Sequence, residues 1–176
     1  MLTTFTRSVA VAVGATALFL ALAGLALAGP SGVPFKSAGS GTESSLSPSG
    51  CQFTGGCTVQ TNGTATSSHL GKGPYTSTLT VNWAAATSNG AGGYCAPATG
   101  TGTITAANGD KLYQSETGTV CEVGASTPTA SHTFTGTYTN TGGTGRFAGA
   151  TGGGTVTGGD DGSGHSNYQE NGTISY

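Results

Sequence analysis

The sequence predicts an all-β domain built as a single antiparallel barrel of about eight strands. Three observations carry that reading. Thr alternates with apolar residues at period two along most of the chain beyond residue 50. No window of ten residues in that region repeats at helical spacing. Glycines fall inside the strand-like runs as well as between them. That pattern favours a barrel, which needs bulges and tight bends, over a flat sandwich.

The chain opens with a segment that does not belong to the domain. Arg7 precedes an apolar run from Val9 to Ala28 that ends in Ala26-Leu27-Ala28. One positive charge, an apolar core and an A-x-A end describe a secretory signal peptide over 1–28, cleaved after Ala28. An uncleaved membrane anchor is the competing reading of the same run. No second apolar run follows, so the processed chain is expected to be secreted and free of the membrane. Residues 29–50, GPSGVPFKSAGSGTESSLSPSG, are mostly Gly, Ser and Pro and read as a flexible linker. The barrel domain then occupies 51–176.

Strands are expected at roughly 58–69, 74–85, 99–107, 110–121, 131–140, 145–157 and 166–176, with a short piece near 51–54. In the second of these, Tyr75, Leu79, Val81 and Trp83 share a face. In the fifth, Phe134, Gly136 and Tyr138 do so. Large aliphatic residues are scarce: four Leu, two Ile and six Val follow residue 28. A core so thin calls for covalent staples, and an exported chain can form them from Cys51, Cys57, Cys95 and Cys121.

Four cysteines allow three pairings. Cys51 and Cys57 enclose QFTGG, short enough for a local bridge, which leaves Cys95 with Cys121. The turn at Ala107-Asn108-Gly109 tests this. A two-residue turn would put Cys95 and Cys121 on opposite faces. A three-residue loop with Gly109 left-handed pairs 106 with 110, sets Cys95 opposite Cys121 and brings Ile104 to Leu112. The three-residue loop is the preferred reading. It places Glu116 on the face of Leu112 and Val120, inside the barrel. The same parity groups Glu170 with Tyr168 and Ile174, and His69 with Val59 and Ala65.

Composition excludes some partners. Lys36, Lys72, Lys111 and Arg146 stand against seven acids, a net charge of −3 beyond the leader. That is no surface for nucleic acid. His69, His132 and His165 have no metal-ligand spacing, and the acidic stretch GGDDGSGH reads as a solvated turn. No metal is implied. No G-x-S-x-G nucleophile elbow is present.

Residues 142–154, GGTGRFAGATGGG, contain a G-x-G-x-x-A match to a dinucleotide fingerprint. The fingerprint needs a helix after it to meet the pyrophosphate, and GGGTVTGG cannot sustain one. No cofactor is therefore assigned. The same residues resemble the G-G-[ST]-G-x-F-x-x-[AV]-x-G stretch of the allene oxide cyclase and dirigent families, through Gly142, Gly143, Thr144, Gly145, Phe147 and Gly152. The order of parts is also similar: an Asn-Gly hairpin, a strand, this motif and an aromatic closing strand. The resemblance implies an eight-stranded antiparallel barrel whose lumen takes small apolar ligands or reactive intermediates. Where dirigent proteins carry Ala-Arg-Gly, this chain has Ala150-Thr151-Gly152, so the arginine associated with the dirigent pocket is missing.

These features give a secreted, disulfide-stabilised module, non-catalytic in the first reading, holding a small apolar molecule. Tyr75, Trp83, Tyr138, Phe147 and Tyr168 are the candidate lumen lining. The alternative is an isomerase or cyclase, or a dirigent-like enzyme, with Glu116, Glu170 and His69 as candidate acid/base residues and Arg146 beside them. A cell-envelope structural protein without ligand is the third reading. The sequence leaves a homo-oligomer open. N-terminal sequencing of exported protein is expected to begin at Gly29; retention of the apolar run would mean a tethered protein instead.

Overall fold

The computed structural model describes residues 32–47 and 55–176. They form nine strands and two short 3-10 turns: β1 (Val33–Ser45), β2 (Gly56–Ser67), β3 (Gly71–Asn82), η1 (Trp83–Ala85), β4 (Thr87–Ser88), β5 (Tyr94–Thr105), β6 (Lys111–Glu122), β7 (His132–Gly143), η2 (Gly145–Phe147), β8 (Thr151–Asp160) and β9 (His165–Ser175). Eight of them close an antiparallel barrel, and two-residue β4 adds to the edge of β5. Strands adjacent in the barrel are consecutive in the chain, apart from the closing pair. That pair is β1 with β9, joined from Val33↔Ile174 to Thr42↔His165. The other closure, β3 with β5, spans η1 and β4.

The first strand corrects the linker reading. The strand sits between two neighbours: residues 33–42 pair with β9 and residues 37–45 with β2. Their inward positions are Phe35, Ser37, Gly39, Gly41 and Glu43, of which only Phe35 is large and apolar. Such a pattern resembles linker composition, yet the strand is held by its backbone ladder and by what its neighbours place against it. Gly39 makes the point. The Tyr168 ring lies across it, and a Cβ there would sit 2.4 Å from Tyr168 Cε1. The small residue is required for the aromatic ring to pack inward.

The Asn-Gly hairpin has the three-residue loop. Ala106 N–H donates to Asp110 C=O at 2.8 Å, Gly109 has φ of 89°, and Ile104 pairs with Leu112. Cys95 stands opposite Cys121 on the outside of the barrel and is bonded to it. Cys57 is not a free thiol; its expected pairing with Cys51 lies outside the described residues. The short strand expected near 51–54 lies outside them too.

The glycine-rich stretch turns one strand into the next. Tyr113 pairs with Gly142 and Gln114 with Asn140, so Thr141 is an extra residue and β7 bulges there. Gly142 has φ of 115° and Gly145 of 56°. The strand expected over 145–157 is therefore shorter: η2 occupies its start and β8 begins at Thr151. η2 folds Phe147 under the barrel, where it is fully buried against Phe35, Ile104, Leu112 and Ile174 in one core. Likewise the strand expected over 74–85 ends at Asn82, and η1 turns Trp83 inward at the other end.

The barrel thus has a packed end and a looser end. Because Cys95–Cys121 closes a separation of 26 residues, replacing both by Ala should lower unfolding free energy in urea by about 3 kcal/mol. Non-reducing peptide mapping should recover the Cys95–Cys121 link. A Cys57–Cys95 link would contradict the register.

Candidate functional site

The looser half of the lumen holds a cavity of about 310 Å3. It exists because the inward positions at that level are small: Gly41 on β1, Thr61 on β2, Ser77 on β3 and Gly158 on β8. Eight strands fix the barrel radius, so small side chains on several strands at one level leave space. Aromatic faces border it. The rings of Tyr75 and Tyr168 stack with centroids 4.5 Å apart, and Trp83 lies 5.9 Å from His132 near the mouth.

The five aromatic residues expected to line the lumen divide between the two halves. Tyr75, Trp83 and Tyr168 face the cavity. Phe147 belongs to the packed end, against Tyr176 at 5.0 Å. Tyr138 fills the barrel below the cavity, 6.0 Å from Phe35. The last two are core and not ligand surface, because large residues from Phe35, Ile104, Leu112 and Ile174 already occupy their level.

The candidate acid/base residues also separate. Glu116 is inside, only 8 % exposed, and lines the cavity. Burial pushes its carboxyl up to about 6. Among the described residues no group hydrogen-bonds that carboxylate, so no His or Arg partners it. Glu170 lies a layer deeper, outside the cavity lining, at 1 % exposure. Its Oε2 accepts from Gln114 Nε2 at 3.2 Å, and Gln114 Nε2 also donates to Asn140 Oδ1 at 3.2 Å. Burial first, and the Glu116 charge beside it, raise Glu170 to about 8, against the pull of the Gln114 bond. Among the described residues three atoms of this layer, Gln114 Oε1, Tyr138 OH and Glu170 Oε1, have no hydrogen-bond partner. Each such burial costs roughly 1–3 kcal/mol.

His69 is not in the lumen. β2 ends at Ser67, and His69 sits in the following turn with φ of 72°. Its Nε2 bonds Pro34 C=O at 2.9 Å, and its own C=O accepts from Arg146 Nη2. The parity expected of it fails because the strand stops before it. Arg146 is at the packed end, with its guanidinium 4.7 Å from the Phe147 ring, and serves to tie η2 to that turn.

Sequence reasoning missed the groups at the mouth. His132 Nδ1 and Asp160 Oδ2 are 2.8 Å apart, across directly paired positions of β7 and β8. The Asp160 bond, opposed by desolvation, raises the imidazole above its ordinary value. Glu43 also lines the cavity, and burial, with Asp160 nearby, raises its carboxyl. The parity of His132 with Phe134 and Tyr138 carries a signal for the first of these. The linker-like composition around Glu43 hides the second. Glu122 is buried but structural: its two oxygens accept from Tyr94 N–H and Ser126 Oγ, both at 2.8 Å. The GGDDGSGH stretch is only in part the solvated turn expected: Gly158, Gly159 and Asp160 belong to β8 and line the cavity, and the turn follows at 161–164, where Asp161 Oδ1 accepts from Ser163 and His165 N–H. Among the described residues no group of three or more His, Cys, Asp or Glu could hold a metal.

The buried carboxyls set a pH dependence. Glu170 and Glu116 bind protons more tightly folded than unfolded, so the folded state holds more protons across the interval between. Stability should therefore fall as pH rises from near 4.5 towards 8. Glu170→Gln keeps an acceptor for Gln114 and should flatten this slope, recovering on the order of 4 kcal/mol by the upper limit. Urea unfolding of both proteins across that range checks it; parallel slopes would show that Glu170 is ionised in the fold.

No protein-family model matches this chain, and neither a curated protein nor a solved structure does so.

Proposed function

We propose that this chain is an exported, disulfide-stapled barrel that holds one small, largely apolar molecule in its lumen without transforming it. The observation that carries the reading is the cavity of about 310 Å3, bordered by Tyr75, Trp83 and Tyr168 and open at one end of a barrel whose other end is packed. Ligand pockets are of this kind: concave, mostly apolar, with a few polar groups. A purely structural barrel has no need of the small inward residues that create the space. The closed eight-stranded barrel, with GGTGRFAGATG at a corner between two neighbouring strands, supports placing the chain beside the allene oxide cyclase-like families. Cleavage after Ala28 would leave β1, which starts at Val33, intact.

The isomerase or cyclase reading has one observation in its favour. Two carboxyls of different proton affinity share the lumen, the pattern of an acid and a base. It lacks the geometry: Glu170 is sealed beneath the cavity, and among the described residues no His or Arg bonds Glu116. Positioned partners come before proton affinity in acid/base catalysis.

Trp83 is the sole tryptophan of the chain and borders the cavity, so it reports occupancy. The neutral dye N-phenyl-1-naphthylamine should bind once per barrel and perturb Trp83 emission. Val59 is a partly buried, inward residue of the lining. Val59→Phe should fill the space and weaken the dye by about tenfold or more. Unchanged affinity in that variant would place the dye elsewhere and remove the basis of the proposal.

A further inference from the structure

The charges of this barrel are sorted along its axis. All four Lys and Arg residues beyond the leader stand at the packed end, with Asp110 among them: Lys36 on β1, Lys72 at the start of β3, Lys111 at the start of β6 and Arg146 on η2. Glu43, Glu122, Asp160 and Asp161 stand at the open end, where β1, β6 and β8 finish. Between them the cavity is lined by Glu43, Glu116 and Asp160 and, among the described residues, by no Lys or Arg. Among the described lining residues the one imidazole, His132, is held by Asp160, which raises its proton affinity; this pair offsets itself and leaves the Glu43 and Glu116 carboxyls without a counter-charge. A low-dielectric cleft with an excess of one sign of charge attracts the opposite sign and repels its own.

Glu116 gives this field a destination. It is more than nine-tenths buried, borders the cavity and has no hydrogen-bond partner among the described residues. The groups around it are acidic or neutral: Tyr75 on β3, Tyr138 directly opposite on β7, and Glu170 and Tyr168 on β9. Gly102 on β5 leaves room beside it; a Cβ there would stand 3.5 Å from Glu116 Oε1 and 3.7 Å from the Tyr75 ring. The carboxylate and two aromatic rings, Tyr75 and Tyr168, therefore meet at one place. A neutral apolar guest would strip water from this carboxylate and return nothing. An anion would meet an acid with no counter-ion. A cation satisfies the carboxylate and lies against ring faces that favour positive charge.

We propose that the molecule held in this cavity is an organic cation, a protonated or quaternary amine on a small aromatic or aliphatic body. Its charge lies against Glu116, and its body lies among Tyr75, Trp83 and Tyr168. The acids at the mouth draw it in. This inference rests on the ligand-holding reading above and specifies its ligand class.

Benzylamine, benzyl alcohol and benzoate present one ring with a cationic, neutral or anionic head, and their binding to the processed chain can be followed through Trp83 emission. Benzylamine should bind at least about tenfold more tightly than either of the others near neutral pH. Glu116→Gln should erase that preference by weakening benzylamine, with no weakening of the alcohol, whose binding no longer desolvates a carboxylate. In the unaltered protein, lowering the pH to about 5 should weaken benzylamine and spare the alcohol, because Glu116 is then protonated. This arm decides the matter if the variant fails to fold. Equal or tighter binding of the alcohol or of benzoate overturns the cation proposal and leaves the ligand-holding barrel standing. Binding of the neutral naphthylamine dye with none of the three also overturns it. Failure of the dye and of all three overturns both readings.

Discussion

Closure of the sheet is the constraint on which the rest of this molecule depends. β1 pairs with β9 and β3 with β5, so every long strand has two neighbours and no long edge is left open. Once closed, the pleat allows only two destinations for a side chain, lumen or exterior. The eight strands also set the width of the lumen before any side chain is chosen. A chain this poor in large aliphatic residues cannot fill that width along its whole length. It concentrates Phe35, Ile104, Leu112, Phe147 and Ile174 at one end and leaves small residues at the other. The cavity is the consequence of an enforced radius and an uneven supply of bulk.

The electrostatics follow from the same geometry. Inward parity carries Glu116 and Glu170 into a region with little solvent, where ionisation is penalised. Their environments then diverge with depth. Glu170, sealed among Gln114, Asn140 and Tyr138, stays protonated near neutral pH, whereas Glu116 borders the cavity and ionises. The mouth is fixed differently, by cross-strand pairing that brings His132 to Asp160 and by Trp83 turning in on η1. A neutral acid in the floor, an ionised one above it and an acidic rim make a gradient from a dry end to a charged entrance.

Much of this was legible in the residues, and the failures have physical causes. Period-two Thr alternation gave the strands, because a half-buried strand has no other way to satisfy both faces. Hairpin arithmetic at Ala107-Asn108-Gly109 gave the Cys95–Cys121 pairing and the inward Glu116 together, since one register sets both. β1 was missed because its lumen side beyond Phe35 is Ser, Gly and Glu, so the repeated hydrophobic signal of a strand is absent. His69 was misplaced because a strand end depends on a turn, here a left-handed residue that parity cannot foresee. The His132–Asp160 contact was missed because it needs the β7–β8 register, which passes through a bulge and a 3-10 turn.

The sequence by itself determined the fold class, the outer staple and which face of β6 turns inward. These are local properties: alternation, turn chemistry and the pairing of two strands joined by a short loop. The tertiary structure alone decided that residues 33–45 complete the barrel and that Phe147 and Tyr138 are core while Tyr75, Trp83 and Tyr168 are wall. It alone decided that the cations gather at the packed end and that Glu43, Glu122, Asp160 and Asp161 stand at the mouth. Those outcomes depend on how far along the barrel axis each residue comes to lie. That height is a sum over eight registers, and no single stretch of chain contains it.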